Sequence, residues 1–457
     1  MEPGDYRGSV ALTPDANPAT MPIAVAMQRP AWRDTFSALR MYNYRLYVSG
    51  QAVANTAGWM QRIATDWLVL ELSGSVALVG LTIAIQFLPT IVLGAWAGVL
   101  ADRLPRRIVL LVSQSCIALL SIALAVLALT GTATLLAVYV IVLLLGVVQV
   151  FDNPSRIVFV NEMVGPAHLR NAISVNASIF HMGALIGPAI AGALIVIVGS
   201  GWAIAGNAVA ALICIGLLLA MRRSELFIAP RAPSAKGQIR EAARYVLGKP
   251  ALFWTMVMLA VVAIFGMPMP TLLAGVADSV YETGADGYGL YNSLVAVGAL
   301  TGALASTRRS SLRLRTIVLG ALLYGVLLTL LGLSPFYPMF LVLLVTVGLS
   351  RLLFMTAGET LVQFSSNLAI RGRVMAFWVI VVVGGQAIGG PLMGWIAETI
   401  GPKNALVVAG GVPAIAAIVV AIVLARSGNL RLVVRPRTRG RWVAIVPRTA
   451  ATRSTSA

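Results

Sequence analysis

Apolar runs of about twenty residues alternate with short polar breaks along most of this chain. The runs fall at 48–72, 76–101, 107–130, 134–160, 172–198, 202–221, 252–276, 287–306, 315–333, 336–366, 374–399 and 404–425. A helix needs about 20 mostly apolar residues to cross the hydrocarbon core of a bilayer. The pattern therefore predicts twelve transmembrane helices. Within the first run the pattern changes: Gln51, Asn55, Arg62 and Asp66 follow one another at helical spacing and share one face. A polar stripe on an apolar helix is expected beside a water-filled cavity rather than against lipid.

Charge sets the expected orientation. Basic residues gather before the first run (Arg29, Arg33, Arg40, Arg45), between runs 2 and 3 (Arg103, Arg106, Arg107), and after run 6 (Arg222, Arg223, Arg231, Lys236, Arg240, Arg244, Lys249). They also gather between runs 8 and 9 (Arg308, Arg309, Arg313, Arg315), before run 11 (Arg371, Arg373), and in the tail from Arg426 to Arg453. With twelve spans all of these fall on one side. The opposite loops carry Glu71, Asp278, Glu282, Asp286 and Glu398 with one base, Lys403. Both termini are thus expected in the cytoplasm. The sequence opens on no signal peptide, so the first span is expected to be retained.

Composition agrees: 59% of the 457 residues are hydrophobic and 11% charged, against about 25% charged in soluble domains. Mean hydropathy is +0.89. The net charge of +18 is explained by the loop asymmetry rather than by nucleic acid. Cys116 and Cys214 lie inside apolar runs, so neither a disulfide framework nor a thiolate metal site is implied. No nucleophile–base pattern, metal set or phosphate loop is present, so enzymatic chemistry, cofactors and metals are not expected. The preference for Arg over Lys, with abundant Ala, Val and Gly, is that of a high-GC bacterial genome.

The chain repeats itself. HLRNAISVNASIFHMGALIGPAIAG, before and through run 5, resembles IRGRVMAFWVIVVVGGQAIGGPLMG, before and through run 11; Arg170 aligns with Arg373 and Pro188 with Pro391. The expected organisation is an N-terminal arm (1–45), a six-helix bundle (46–221), a basic linker (222–250), a second six-helix bundle (251–426) and a basic tail (427–457). AKGQIREAARYVLGK in the linker reads either as an amphipathic helix on the membrane surface or as a solvated connection.

Two six-helix halves with both ends inside resemble the major facilitator superfamily. GVLADRLPRR resembles its loop 2–3 signature, which would give Gly98, Asp102, Arg103, Arg106 and Arg107 a part in gating; Pro105 stands where the family usually has Gly. GALIGPAIAG, with Gly183, Gly187, Pro188 and Gly192, partly resembles the span 5 signature of the antiporter branch, and equally reads as small-residue helix packing. NYRLYVSGQ, GWMQRIATDWLVLEL, FDNPSRIVFVNEMV and LRNAISVNASIF resemble the group of enterobactin exporters, transmembrane secretion effectors and drug:proton antiporters, over roughly 36–425. The base that the antiporter branch often carries early in span 4 is missing from VYVIVLLLG. The resemblance implies an all-α membrane fold, twelve helices in two pseudo-symmetric bundles. It also implies proton-driven efflux of small amphipathic molecules across a bacterial inner membrane, by a monomer. A nutrient importer shares the fold, and a non-transporting sensor is the more distant reading.

Charges inside a membrane cost about 2.5–3.5 kcal/mol each on insertion scales and mark candidate sites. Arg62 and Asp66 are spaced for an i,i+4 ion pair, either structural or with Asp66 exchanging Arg62 for a proton. Asp152 and Arg156 are spaced the same way near the cytoplasmic side, as an inner gate that pairs with the basic loops or as a structural clamp, with Pro154 expected to bend the helix. Arg351 is near the midplane of span 10 with no acid one turn away, and Glu359 lies two turns on. Asp66, Glu359 and His181 are the proton-coupling candidates. Gln51, Asn55, Trp59, Arg62, Gln86, Tyr288, Tyr291, Asn292 and Arg351 are the candidates for the substrate cavity. Pro268 and Pro270 predict a hinge in span 7.

Overall fold

Glycine and proline make the breaks between the apolar runs. The first helix, Tyr42–Ser73, stops at Gly74, whose φ of 63° is open to glycine at no steric cost and lets its N–H bond Leu70 O at 2.7 Å. Span 2 (Val76–Arg103) follows at once, and Pro105 stands at the start of span 3 (Arg106–Leu129). The structure, a computed structural model, describes residues 37–226, 238–306, 314–427, 430–434 and 443–447.

Spans 4 and 5 run as one helical stretch, Leu135–Val198. Its backbone stays helical through Pro154 and leaves helical geometry at Gly165 (φ 64°), so the bend expected at the proline sits at the glycine instead. Span 6 is Ser200–Ala220. Span 7 covers Pro250–Ser279 and is interrupted by a π-turn, Val262–Gly266, just before Pro268. The interruption frees the carbonyl of Gly266, which accepts from Tyr324 Oη at 2.7 Å. Spans 8 to 12 are Gly284–Ser306, Leu314–Leu333, Tyr337–Ser365, Leu368–Ile400 and Pro402–Ser427.

Eleven of the described helices are long and apolar enough to cross a membrane. Tyr42–Ser73 has the length, with 32 residues, but its polar stripe keeps it out of that set. Large apolar side chains face outward, with Leu136 74% and Ile197 75% exposed, the pattern of a surface solvated by lipid.

The linker is not wholly a solvated connection. Gln238–Leu247 is helical and docks on the second half: Glu241 pairs with Arg373, Lys249 Nζ donates to Ser365 O at 3.1 Å, and Asn367 N donates to Tyr245 Oη at 3.2 Å. The tail adds what an all-α expectation omits, a two-stranded antiparallel ribbon with Leu430–Val434 against Val443–Pro447. Most of the N-terminal arm and the loop holding Arg308, Arg309 and Arg313 lie outside the described residues.

The two halves meet along two seams at the end away from the termini. In one, span 2 lies against span 11: a Cβ on Gly80 would sit 2.1 Å from Gly390 O, and one on Gly394 2.7 Å from Val76 O. In the other, span 5 lies against span 8, where a Cβ on Gly289 would sit 2.5 Å from Pro188 O. Pro188 and Pro391, aligned by the repeat, therefore stand in corresponding seams. Gly192 joins the second seam against Ala285 and Asp286, while Gly183 and Gly187 receive span 1 at Asn55, Thr56 and Trp59. The span 5 glycines thus serve close helix packing.

Candidate functional site

A cavity of about 610 Å³ lies within the N-terminal half. It runs from Tyr47 and Val160, near the end that carries the termini, to Asp66 at the seams. Its walls come from spans 1 to 6, and amides dominate them. Gln51, Asn55 and Gln61 come from span 1, Gln86 from span 2 and Gln114 from span 3; Gln149 and Asn153 come from span 4, Asn176 from span 5 and Asn207 from span 6. Trp59, Phe180, Ile117 and Leu145 supply apolar surface between them. The volume falls within the about 300–1,000 Å³ of small-molecule sites, with more polar groups on the walls than such sites usually carry.

Part of this lining is locked from behind. Gln61 Oε1 accepts from Ser121 Oγ at 2.8 Å and from Asn207 Nδ2, and Asn207 Nδ2 also reaches Ser121 Oγ at 3.2 Å. Three helices thus hold one amide cluster, which satisfies groups that would be costly if left bare in an apolar interior.

The charges are arranged differently from what spacing alone predicts. Among the described residues no ion pair joins Arg62 to Asp66. The Arg62 guanidinium lies 5.7 Å from the Trp59 ring centroid and 5.8 Å from that of Phe87. The Asp66 carboxylate accepts instead from Tyr288 Oη of span 8 at 3.1 Å. A tyrosine hydroxyl reaching across the seam competes for the same oxygen, and an aromatic pair gives the guanidinium another place to rest. Asp66 therefore faces two ways, onto the cavity and into the contact between halves. Tyr288→Phe is expected to leave that buried carboxylate short of a donor, at a cost of about 1–3 kcal/mol, read as a lower thermal unfolding midpoint.

Asp152 and Arg156 do form their i,i+4 pair, and both line the cavity. Asp152→Asn is expected to cost about 2 kcal/mol, less than breaking a dry buried pair, because the Arg156 side chain keeps 19% exposure. Thermal unfolding beside an Arg156→Met, Asp152→Leu double variant measures it.

Several candidates lie away from the cavity. Tyr288 and Tyr291 are fully buried, the latter bonded to Thr283 Oγ1 at 2.8 Å, and Asn292 Nδ2 is spent on Tyr288 O. Arg351 is half-buried, within electrostatic reach of His181 and Tyr324, and has no ion pair among the described residues. His181 packs edge-on to Phe180 at 5.7 Å and does not line the cavity. Glu359 is exposed and accepts from Gln363 at 3.2 Å. None of the residues lining the cavity comes from the second half. Polar residues of spans 8 and 10 therefore do not reach the cavity.

In the loop 2–3 motif, the surroundings of Gly98 and the side chains of Asp102 and Arg103 lie outside the described residues. Arg106 pairs with Glu162 at 3.5 Å, and Arg107 donates to Leu218 O at 2.7 Å and Leu219 O at 3.0 Å. Arg107 thus caps the C-terminus of span 6, where exposed carbonyls favour a cation.

Gln61, Gln114, Gln149, Asn153, Asn176 and Asn207 join the site without being singled out by the charge and stripe pattern of the sequence. The signal for most of them was the one that marked Gln51: an amide interrupting an apolar run.

The chain matches the transmembrane secretion effector family over residues 33–439. It is 28% identical over 388 residues to the multidrug efflux pump Tap of Mycolicibacterium fortuitum, covering 82% of this chain and 93% of that one. It is 26% identical over 387 residues to the enterobactin exporter EntS of Shigella boydii serotype 4 (strain Sb227), covering 83% and 88%. Among solved structures it resembles a bacterial homologue of the human lysosomal transporter Spinster, inward-facing and unoccupied, with TM-score 0.63, 16% identity and 84% and 96% coverage. It also resembles the nucleoside transporter NupG, with TM-score 0.66, 14% identity and 84% and 99% coverage. The chain therefore belongs to the transmembrane secretion effector family: it is a multi-pass membrane transporter of the major facilitator fold and not an enzyme.

Proposed function

We propose that this protein exports small amphipathic molecules across the bacterial inner membrane, driven by proton entry, as a monomer with both termini in the cytoplasm. The observation that carries the reading is the amide-lined cavity ending at Asp66, whose carboxylate is bonded to Tyr288 of the opposite half. A substrate entering from the termini side meets hydrogen-bonding groups spaced between apolar walls, which suits molecules carrying both characters. The relatives' activities, multidrug efflux and enterobactin export, support the direction and the size class.

Alternating access requires the seams to part while the opposite end closes. Parting breaks the Asp66–Tyr288 bond and bares Asp66 to the outside. There the carboxylate takes a proton, and in its neutral form it returns with the closing seam. Release of that proton to the cytoplasm resets the carboxylate for the next cycle. The ligand biases the equilibrium only by its different affinity for the two states.

Everted vesicles from a strain lacking and then re-supplied with this protein test the reading, using a panel of drugs and siderophores with and without a protonophore. At least one compound is expected to accumulate inside the vesicles in a way that a protonophore abolishes. Accumulation in right-side-out vesicles instead, or export indifferent to the protonophore, overturns it.

A further inference from the structure

Span 2 begins at the closed end with Ser75 just ahead of its first turn. The first N–H groups of any helix lack partners within it and point outward. Here they are met from two directions. Ser75 Oγ accepts from Leu78 N at 3.1 Å, an N-cap made within the N-terminal half. Ala77 N donates at 3.2 Å to Oε1 of Glu398, which stands near the end of span 11 in the other half. The Ser75 hydroxyl donates to the same oxygen. One carboxylate from one half thus caps a helix of the other.

Glu398 also continues a seam. Gly390 and Gly394 stand two turns and one turn before it on span 11, against Gly80 and against Val76 and Ala77 of span 2. At those two levels the helices touch backbone to backbone, and at the next level the contact becomes a charge on a helix N-terminus. A carboxylate there gains from both the hydrogen bonds and the positive end of the helix dipole. A capped N-terminus loses two charge-assisted hydrogen bonds at the moment of separation, so its effect concentrates on the opening step.

We infer that Glu398 is a gate residue: by capping span 2 from span 11, it sets how often the end away from the termini opens. The inference is independent of substrate, of the direction of transport and of the coupling ion. The alternative is that Glu398 decorates a seam already closed by its glycines.

The distinction is read with spin labels at Thr132→Cys and Phe336→Cys, in the loops after spans 3 and 9, in a Cys116→Ala, Cys214→Ala background. The full-length protein in lipid nanodiscs is measured by pulsed electron–electron resonance. Glu398→Ala is expected to raise the ratio of the long-distance to the short-distance population about tenfold, equivalent to about 1.4 kcal/mol. Glu398→Gln, which keeps an acceptor but loses the charge, is expected to fall between. Ser75→Ala combined with Glu398→Ala is expected to add less than the sum of the two. Distance distributions unchanged in both Glu398 variants overturn the inference, as does a lower thermal midpoint with no shift in the distributions. If Glu398→Ala does not elute as a folded monodisperse species, Glu398→Gln decides by the same criterion. A failure of the vesicle experiment would leave this result standing, because no substrate or gradient enters it.

Discussion

Asp66→Asn is expected to lower pH-gradient-driven export by at least about tenfold, about 1.4 kcal/mol on the affected step, while leaving the protein folded. Asparagine nearly matches aspartate in shape, and its amide oxygen can still accept from Tyr288 Oη, now 3.1 Å from the carboxylate. The closed seam therefore has little reason to change. What the variant cannot do is take up and release a proton. Asp66 is the acid that both lines the cavity and touches the opposite half, since Asp152, the other cavity acid, is committed to Arg156. The prediction separates coupling from translocation. Everted vesicles given an imposed pH gradient should lose accumulation, whereas exchange of labelled for unlabelled substrate at equal pH should persist. Full gradient-driven accumulation by the variant would remove Asp66 from the mechanism. Loss of exchange as well would show that the residue is needed for movement itself.

The second large effect is expected at the seam. Gly390→Val should nearly abolish transport and leave the end away from the termini open. A Cβ at Gly390 would stand 2.5 Å from Gly80 O, and one at Gly80 2.1 Å from Gly390 O. Both obstacles are backbone, so no side chain can swing aside. Spans 2 and 11 must move apart, and overpacking of this kind costs about 1–3 kcal/mol before any rearrangement. Opening the seam relieves the clash at no such cost, so the variant should populate that state. Gly384 provides the control on the same helix, because nothing lies within 4 Å of a Cβ there. Gly384→Val is expected to transport within about twofold of the parent, the scale of a substitution of about 0.4 kcal/mol. Initial rates in everted vesicles, with the spin-label distances described above, measure both. Transport by Gly390→Val at the parent rate would show that the seam is not tightly closed during the cycle.

Several features of the site were open to inspection in the sequence. Gln51, Asn55, Trp59, Arg62 and Gln86 interrupt apolar runs, and the structure places all five on the cavity together with Asp66, Asp152 and Arg156. For span 1 the spacing was informative because a stripe on one face fixes which side avoids lipid. Span 8 carried no such stripe. Tyr288, Tyr291 and Asn292 lie within one turn of each other, and only the rotation of the second half decides that they serve the seam and their own helix. Arg62 and Asp66 show a further limit of spacing. An i,i+4 separation makes a pair possible, but Tyr288, 222 positions away in sequence, takes the carboxylate.

Local patterning along the chain was enough for the membrane class, the lengths and ends of most spans, the duplicated halves and the family. These follow from local quantities: how many apolar residues occur in a row, and which residues break a helix. It also marked Pro188 and Pro391 as equivalents, which the structure places in matching seams. It took the packed helices to show that the cavity belongs to the N-terminal half, that amides of spans 1, 3 and 6 lock together, and that Asp66 and Glu398 each bond to the other half. Those outcomes depend on how each helix is rotated about its axis and on the relative placement of the halves. Packing among glycines and the pairing of buried polar groups settle both, and each is a property of contacts between residues far apart in the chain.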